Sequence, residues 1–243
     1  MILECDVGNT RCKWRIVDEG LVQSRGAFAC SDGFDELTTL LDIDRVKVSS
    51  VAVASVNEKL TAVLAGIGLE VEFASASQRA AGVENSYADA GRLGVDRWLA
   101  MIAAYNRCHG PVLVLDAGSA LTADLVMANG KHAGGYIVPG MRLMKSSLLA
   151  ETGGVRFGLH NNDYGVEFGV DTASAVYAGV VAAEVGAAIV AIEQAGRKIP
   201  EGFAILLTGG DADAIWKNLP SSMLPNVTIV PELVLDGLRW VLP

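Results

Sequence analysis

The chain is expected to fold as an α/β protein made of two similar halves, each carrying a mixed β-sheet. Three observations predict this. Its 243 residues exceed one minimal core and suit two domains of ~100–150 residues each. Apolar strand-like runs alternate with segments of helical period. The segment Leu3–Gly20 also returns, in altered form, at Leu113–Gly130.

The first copy reads LECDVGNTRCKWRIVDEG and the second LVLDAGSALTADLVMANG. Without a gap, Asp6 aligns with Asp116, Gly8 with Gly118, Asn9 with Ser119, Ile16 with Val126 and Gly20 with Gly130. Each copy is an apolar strand, a D-x-G-[N/S] turn, a second strand and a tight turn ending in Gly, which suits a hairpin. A third strand is expected after each, at Leu21–Ala29 and His132–Ile137. Strands at Val46–Ala54 and Leu69–Phe73 and a helix around Asn57–Ala65 follow in the first half. Arg92–His109 has Trp98, Leu99, Ile102 and Tyr105 at helical spacing and should be a helix leading to the second half. The boundary is placed near Gly110-Pro111, giving domains 1–110 and 111–243. The second half should continue with a long helix at Thr172–Ala195, a strand at Phe203–Leu207 and a helix at Ala212–Leu219. A short strand at Val227–Val230 and a terminal helical turn at Asp236–Val241 complete it. Duplication implies a cleft between the halves, a preferred place for a ligand.

Composition narrows the function classes. Hydrophobic residues make up 51% and charged residues 19%, so the chain can pack cores and does not read as disordered. The net charge is -9 and no Lys/Arg cluster appears, which argues against a nucleic-acid partner. An anionic ligand is still permitted, because backbone N–H groups and a metal ion can hold phosphates. Glu4 and Asp6 near the start, with no basic run before them, argue against a signal peptide. The most apolar stretch, Thr172–Ile192, carries Glu184 at its middle and reads as a close-packed helix rather than a membrane span. Cys5, Cys12, Cys30 and Cys108 form no C-x-x-C pair, as expected of reduced cysteines in a cytoplasmic protein. His109, His132 and His160 stand singly and read as surface or structural residues.

Three segments carry candidate chemistry. In the D-x-G turns, Gly8 and Gly118 allow backbone N–H groups to approach a ligand, and Asn9, Thr10 and Ser119 add neutral donors. Asp6 and Asp116 would repel phosphate directly and suit a cation or its waters instead; an ordinary Asx turn is the plain alternative. The second segment, Thr208-Gly209-Gly210-Asp211-Ala212, joins an apolar strand to a helix, where a ligand can lie flat against backbone. The third, Leu93-Gly94-Val95-Asp96-Arg97, opens a helix. By residue type alone, Asp96 is either a helix cap or a base, and Arg97 is either solvated or a ligand contact. No G-x-x-x-x-G-K-[S/T] motif is present.

Taken together and in order, DVGNT, DAGSAL and TGGDA resemble the two phosphate motifs and the adenosine motif of the acetate kinase, actin, hexokinase and heat-shock chaperone superfamily. A finer resemblance is to type III pantothenate kinases. It rests on DVGNTRCKW, Asn85-Ser86-Tyr87 followed by LGVDRW, GGYIVPGM (Gly134–Met141), Asp171-Thr172 before an apolar helix, and TGGDA. This resemblance implies two ribonuclease H-like domains and ATP-dependent phosphorylation of pantothenate, the first step of coenzyme A biosynthesis. It implies that Asp6, Val7, Gly8, Asn9, Thr10, Arg11, Cys12 and Lys13 line the ATP phosphates, with Ser119 opposite, and that Gly209 and Gly210 belong to the adenosine side. Asp96 would be the base, and Tyr87, Gly94, Val95 and Arg97 would hold pantothenate. Thr172 would reach the substrate of a neighbouring subunit, making the site shared in a homodimer. Asp116 would bind potassium or ammonium, and magnesium would accompany ATP. Two departures are Ser119, where the family usually has Thr, and Asp171, where Asn is frequent; Glu151–Gly165 matches nothing with certainty. The competing readings are another small-molecule kinase of the superfamily, a catalytically weak transcriptional accessory protein of the same fold and, more distantly, an actin-like filament former. Intact Asp6, Asp96 and Asp116 favour catalysis.

Overall fold

The computed structural model describes residues 1–40, 42–151 and 165–243. His160 and most of the unmatched segment 151–165 lie outside the described residues. The chain forms two units, Met1–Ala103 with Leu233–Pro243, and Ala104–Glu232.

In the first unit, β1 (Ile2–Val7), β2 (Arg11–Asp18) and β3 (Leu21–Ala29) form an antiparallel meander. The short helix α1 (Asp35–Thr38) leads to β4 (Arg45–Ser50), which pairs parallel with β1. After α2 (Ala54–Ala65), β5 (Val71–Phe73) completes a five-stranded sheet of order β3-β2-β1-β4-β5. A two-stranded ribbon, β6 (Arg79–Ala80) with β7 (Val83–Glu84), precedes α3 (Val95–Cys108). Strand alternation divides the faces. Leu3, Cys5 and Val7 on β1 and Cys12, Trp14 and Ile16 on β2 enter one apolar core with Leu60 and Leu64 of α2.

The second unit repeats the plan. β8 (Val112–Ala117), β9 (Ala120–Val126) and β10 (His132–Pro139) form the meander. Then come α4 (Met141–Glu151), the long helix α5 (Thr172–Lys198), β11 (Ala204–Thr208), α6 (Ala212–Asn218) and β12 (Val227–Ile229). The sheet order is β10-β9-β8-β11-β12, strand for strand that of the first unit. Asp6 pairs with Ser49 across β1 and β4, and Asp116 pairs with Thr208 across β8 and β11. The duplication read from the sequence is therefore a duplication of topology.

The gapless alignment needs a local correction. Val7 pairs with Cys12, but Ala117 pairs with Leu121, so the second D-x-G turn is one residue shorter. The next turn compensates. Glu19 and Gly20, both at positive φ, make a two-residue hairpin turn, whereas Met127 N–H bonds Lys131 O around a loop closed by Gly130 at φ 80°. A two-residue turn and a three-residue turn with a left-handed Gly are both standard hairpin solutions, so the spacing between landmarks survives while the register within it shifts.

The other differences are at ends and connections. Strand β4 stops at Ser50 and α2 begins at Ala54, where a continuous strand was expected. α4 was not foreseen at all. The terminal helix is longer than expected, α7 (Leu233–Val241), and packs on β1 and β4 of the first unit instead of continuing the second. Its Leu233, Leu235 and Leu238 are buried, and Asp236 pairs with Arg15 at 2.8 Å. A Cβ on Gly237 would collide with the Leu99 backbone of α3. The two units divide within α3, between Ala103 and Ala104. Among the described residues one helix, α5, is long and apolar enough by composition to cross a membrane, but its Val181, Val185 and Ala188 are buried in the second core.

Candidate active site

In the first unit, Asp6 stands at the penultimate position of β1, on the face opposite the apolar core. Gly8, Asn9 and Thr10 form the turn that follows, closed by a 3.0 Å bond from Gly8 N–H to Arg11 O. The turn is tied down on two sides: Val53 N–H donates to Asn9 Oδ1 at 2.9 Å, and Cys30 N–H donates to Thr10 O at 2.9 Å. The Asp6 carboxyl is pushed up to about 6, chiefly by burial and in part by Asp96, with Lys13 and the nearby Ser49 hydroxyl opposing the shift. The two carboxylates are thus close enough for the charge of one to disfavour that of the other, as is expected where a cation or a proton is to be taken up.

Asp96 lies in the first turn of α3. Its Oδ1 accepts from the Arg97 N–H at 2.8 Å, and a Cβ on Gly94 would stand 2.6 Å from that same oxygen. Gly94 is therefore what allows this carboxylate its orientation. Arg97 is almost wholly buried, donates to the Tyr87 hydroxyl at 3.1 Å and lies 6.0 Å from the Tyr87 ring centroid. Asn85, also buried, shapes the loop that presents Tyr87: its Nδ2 bonds Ser77 O and Ala90 O, and its Oδ1 accepts from Tyr87 N–H. The sequence marked Asn85 only as part of a motif; its structural role is visible only once the loop is closed.

Not every residue expected to line the phosphates points toward them. Val7 and Cys12 are fully buried in the apolar core, so only their backbones remain available. The adjacent Cys5 thiol and burial push the Cys12 thiol far up, leaving it protonated. Val95 is likewise buried, while Arg11 is exposed and Lys13 half-buried beside Asp6.

In the second unit, Asp116 occupies the place on β8 that Asp6 has on β1, and Gly118 N–H bonds Ala120 O at 3.0 Å. Two glycine-bearing segments close on this turn. Gly140 N–H donates to Ser119 O at 3.1 Å, and a Cβ there would stand 2.7 Å from that oxygen. Gly209, at φ 96°, approaches so closely that a Cβ would stand 2.6 Å from Asp116 Oδ1, and Asp211 N–H donates to Ala117 O at 3.0 Å. This refines the reading of the Gly-Gly pair. Gly209 is demanded by the protein's own backbone, whereas a Cβ on Gly210 would meet nothing within 4 Å.

Thr172 is the first residue of α5. Asp171 caps the helix in a reciprocal box with Ser174, its Oδ1 accepting from Ser174 N–H at 2.9 Å. Thr172 rims an apolar groove of about 840 Å³ between α4 and α5, walled by Pro139, Leu143, Met144, Val176 and Gly179. Of the two histidines described, His132 is buried and bonded to Asp124 at 3.0 Å, and His109 is exposed at the C-terminus of α3.

With this geometry in view, comparison with known proteins decides the family. The type III pantothenate kinase family profile matches residues 2–194. The chain belongs to the type III pantothenate kinase family. A family member from Ectopseudomonas mendocina is 36% identical over 252 residues, covering 100% of this chain and 99% of its own. Another, from Marinobacter nauticus, is 37% identical over 244 residues, covering 99% and 98%. Among solved structures, a Baf family protein from Campylobacter jejuni superposes with TM-score 0.57 at 20% identity, covering 98% of this chain and 95% of that one. An ethanolamine utilization protein from Carboxydothermus hydrogenoformans gives 0.56 at 16%, covering 98% and 89%. At such identities these structures show the shared fold alone, an α/β architecture of two mixed sheets.

Proposed function

We propose that the chain catalyses ATP-dependent phosphorylation of pantothenate to 4'-phosphopantothenate, the first step of coenzyme A biosynthesis, in the cytoplasm. The observation that carries this reading is that Asp96 lies within electrostatic reach of Asp6 in the first unit of a type III pantothenate kinase family member, and is followed by Arg97, which is hydrogen-bonded to Tyr87.

Phosphoryl transfer needs positioning and charge neutralisation more than covalent chemistry by the protein. Asp96 accepts a hydrogen bond from the primary hydroxyl of pantothenate, orients it toward the phosphoryl group and takes its proton as the bond forms. Arg97 and Tyr87, already hydrogen-bonded to each other, hold the polar end of pantothenate, with the backbone at Gly94 and Val95. The Asp6–Lys13 turn and Ser119 contact the ATP phosphates, and Gly209 and Gly210 the adenosine side. At Gly8 a Cβ would meet only Arg11 O at 3.5 Å, so protein packing does not require glycine there, and the bare backbone suits an approaching phosphate.

Among the described residues, no three His, Cys, Asp or Glu side chains converge to hold a metal ion. Single carboxylates fit magnesium here, because magnesium on ATP is commonly held by one or two carboxylates, phosphates and water. Asp6 would hold it through water, and Asp116 would hold potassium or ammonium; when bound, these cations neutralise phosphate charge. The chain works as a homodimer in which Thr172 reaches the neighbour's substrate. Supporting this, Phe168 and Val170 are almost fully exposed, and Leu143 of α4 lines the apolar groove beside Thr172.

The test is mass spectrometry of a reaction holding pantothenate, ATP, magnesium and potassium, run beside glucose and acetate as acceptors. Phosphopantothenate alone should accumulate, and sodium should substitute poorly for potassium. A folded protein that phosphorylates another acceptor, or none, refutes the reading.

A further inference from the structure

Glu184 sits at the middle of α5 with no solvent exposure, and neither carboxylate oxygen has a hydrogen-bond partner. Such a group is costly to bury, and an apolar residue would serve a purely structural core better. Its charged neighbours come from two elements. From α4 comes Lys145, together with the backbone N–H of Met141, which lies near without reaching hydrogen-bond geometry. From the entry to α6 comes Asp211. The sheet beneath α5 contributes Leu115, Leu121 and Ala123 to this core.

Lys145 is itself held in place. Its Nζ lies 4.7 Å over the ring of Tyr177, which stands two helical turns before Glu184 on α5. Its charge acts on both Glu184 and Asp211. This cluster lies directly behind the second turn. Gly140, the residue before α4, donates to Ser119 O, and Asp211 donates to Ala117 O. Ordinary core packing explains neither an unpartnered carboxyl nor a lysine shared between two acids at that spot.

We propose that Glu184 is a positioning residue whose protonation governs how Lys145 is shared between Glu184 and Asp211, so that nucleotide binding at the Gly118-Ser119 and Gly209-Gly210 segments is coupled to uptake of a proton. The inference rests on the nucleotide reading of those segments. A bound nucleotide brings negative charge, which disfavours the ionised form of Glu184. It also draws the Lys145 ammonium toward itself and away from Glu184. Both effects favour the neutral acid. Burial first, and then Asp211, hold the Glu184 carboxyl at about 7 in the free protein, against the Met141 N–H and Lys145. Below that pH the proton is already present and binding takes up none. Above it, binding must recruit one, and affinity falls as pH rises, by at most about tenfold per pH unit for one proton.

The experiment is calorimetric titration with ADP at about pH 6 and about pH 8, in buffers of different ionisation enthalpy, on wild type, Glu184→Gln and Lys145→Met. The wild-type affinity should fall about three- to tenfold more than that of Glu184→Gln across this range, with extra proton uptake at the higher pH. The titration of ADP itself is common to all three proteins and cancels. Lys145→Met removes the cation shared between the two acids and should lose most of the extra uptake as well, which keeps the proposal testable if Glu184→Gln does not fold. Wild-type pH dependence and uptake in either folded variant would overturn the coupling alone. Absence of ADP binding by the folded wild type would overturn the nucleotide reading and the coupling with it.

Discussion

At the scale of single residues, Asp96 separates a structural account from a catalytic one. Its Oδ1 accepts the Arg97 N–H at the start of α3, and Asn would supply the same acceptor. Asp96→Asn should therefore change stability by about 1 kcal/mol or less. It cannot accept the hydroxyl proton, and an acid–base contribution is typically worth about 10²–10⁴-fold in rate. The expected outcome is an unchanged melting temperature and ADP affinity with kcat lowered by that factor. Near wild-type kcat would return Asp96 to the role of a cap. The sequence left this choice open because cap and base use the same residue at the same place. The structure adds that Gly94 leaves room for the carboxylate and that Asp6 feels its charge, which a mere cap does not require.

At the scale of elements, α5 is the test case. Asp171 and Ser174 cap it reciprocally, and its buried residues are Ala, Val, Ile and Tyr together with Glu184. Asp171→Ala removes both the acceptor for the Ser174 N–H and the charge that favours a helix N-terminus. It should lower the melting temperature by roughly 2–4 °C for a chain of this size. Because the capping carboxyl has its pKa lowered chiefly by the Ser174 backbone N–H, the loss should be present at neutral pH and fade once the wild-type acid is protonated. An equal loss at every pH, or none, would mean that the box does not hold the helix end. Of the elements, those of strong period were legible in advance: both meanders, α3 and α5. α4 was missed because Met141–Glu151 follows the Pro-Gly of GGYIVPGM, a pair that ordinarily signals a turn. Here Gly140 is needed so that the helix can start against the Ser119 backbone.

At the scale of the whole molecule, the expected homodimer is the property most open to measurement. Phe168 and Val170 expose nearly all of their surface, and the groove beside Thr172 is apolar along α4 and α5. Exposed apolar surface of this kind ordinarily marks an interface. Light scattering at assay concentration should give twice the 25.4 kDa chain mass. Thr172→Arg should lower activity more than it lowers melting temperature, since the residue is exposed and contributes little to its own core. A fully active monomer would contradict the shared site.

By itself the sequence determined the duplication, and with it two similar α/β units with mixed sheets. Hydrophobic period and turn chemistry are local, and a repeated local pattern builds the same local topology twice. It also marked Asp6, Asp96, Asp116 and the Gly209-Gly210 pair as the places where chemistry would sit. Tertiary structure alone decided what those local patterns leave free. The terminal helix α7 went to the first sheet, through its buried leucines, the close approach of Gly237 and the Arg15–Asp236 pair, because an amphipathic helix does not encode which sheet it will cover. The one-residue exchange between successive turns was hidden because both hairpin solutions keep Gly20 and Gly130 in register. Gly209 proved to be required by Asp116 and Ala117, a contact between residues far apart in sequence. The gathering of Lys145, Tyr177, Glu184 and Asp211 from three elements likewise has no local signature: each residue reads as ordinary in its own helix, and only packing brings their charges together.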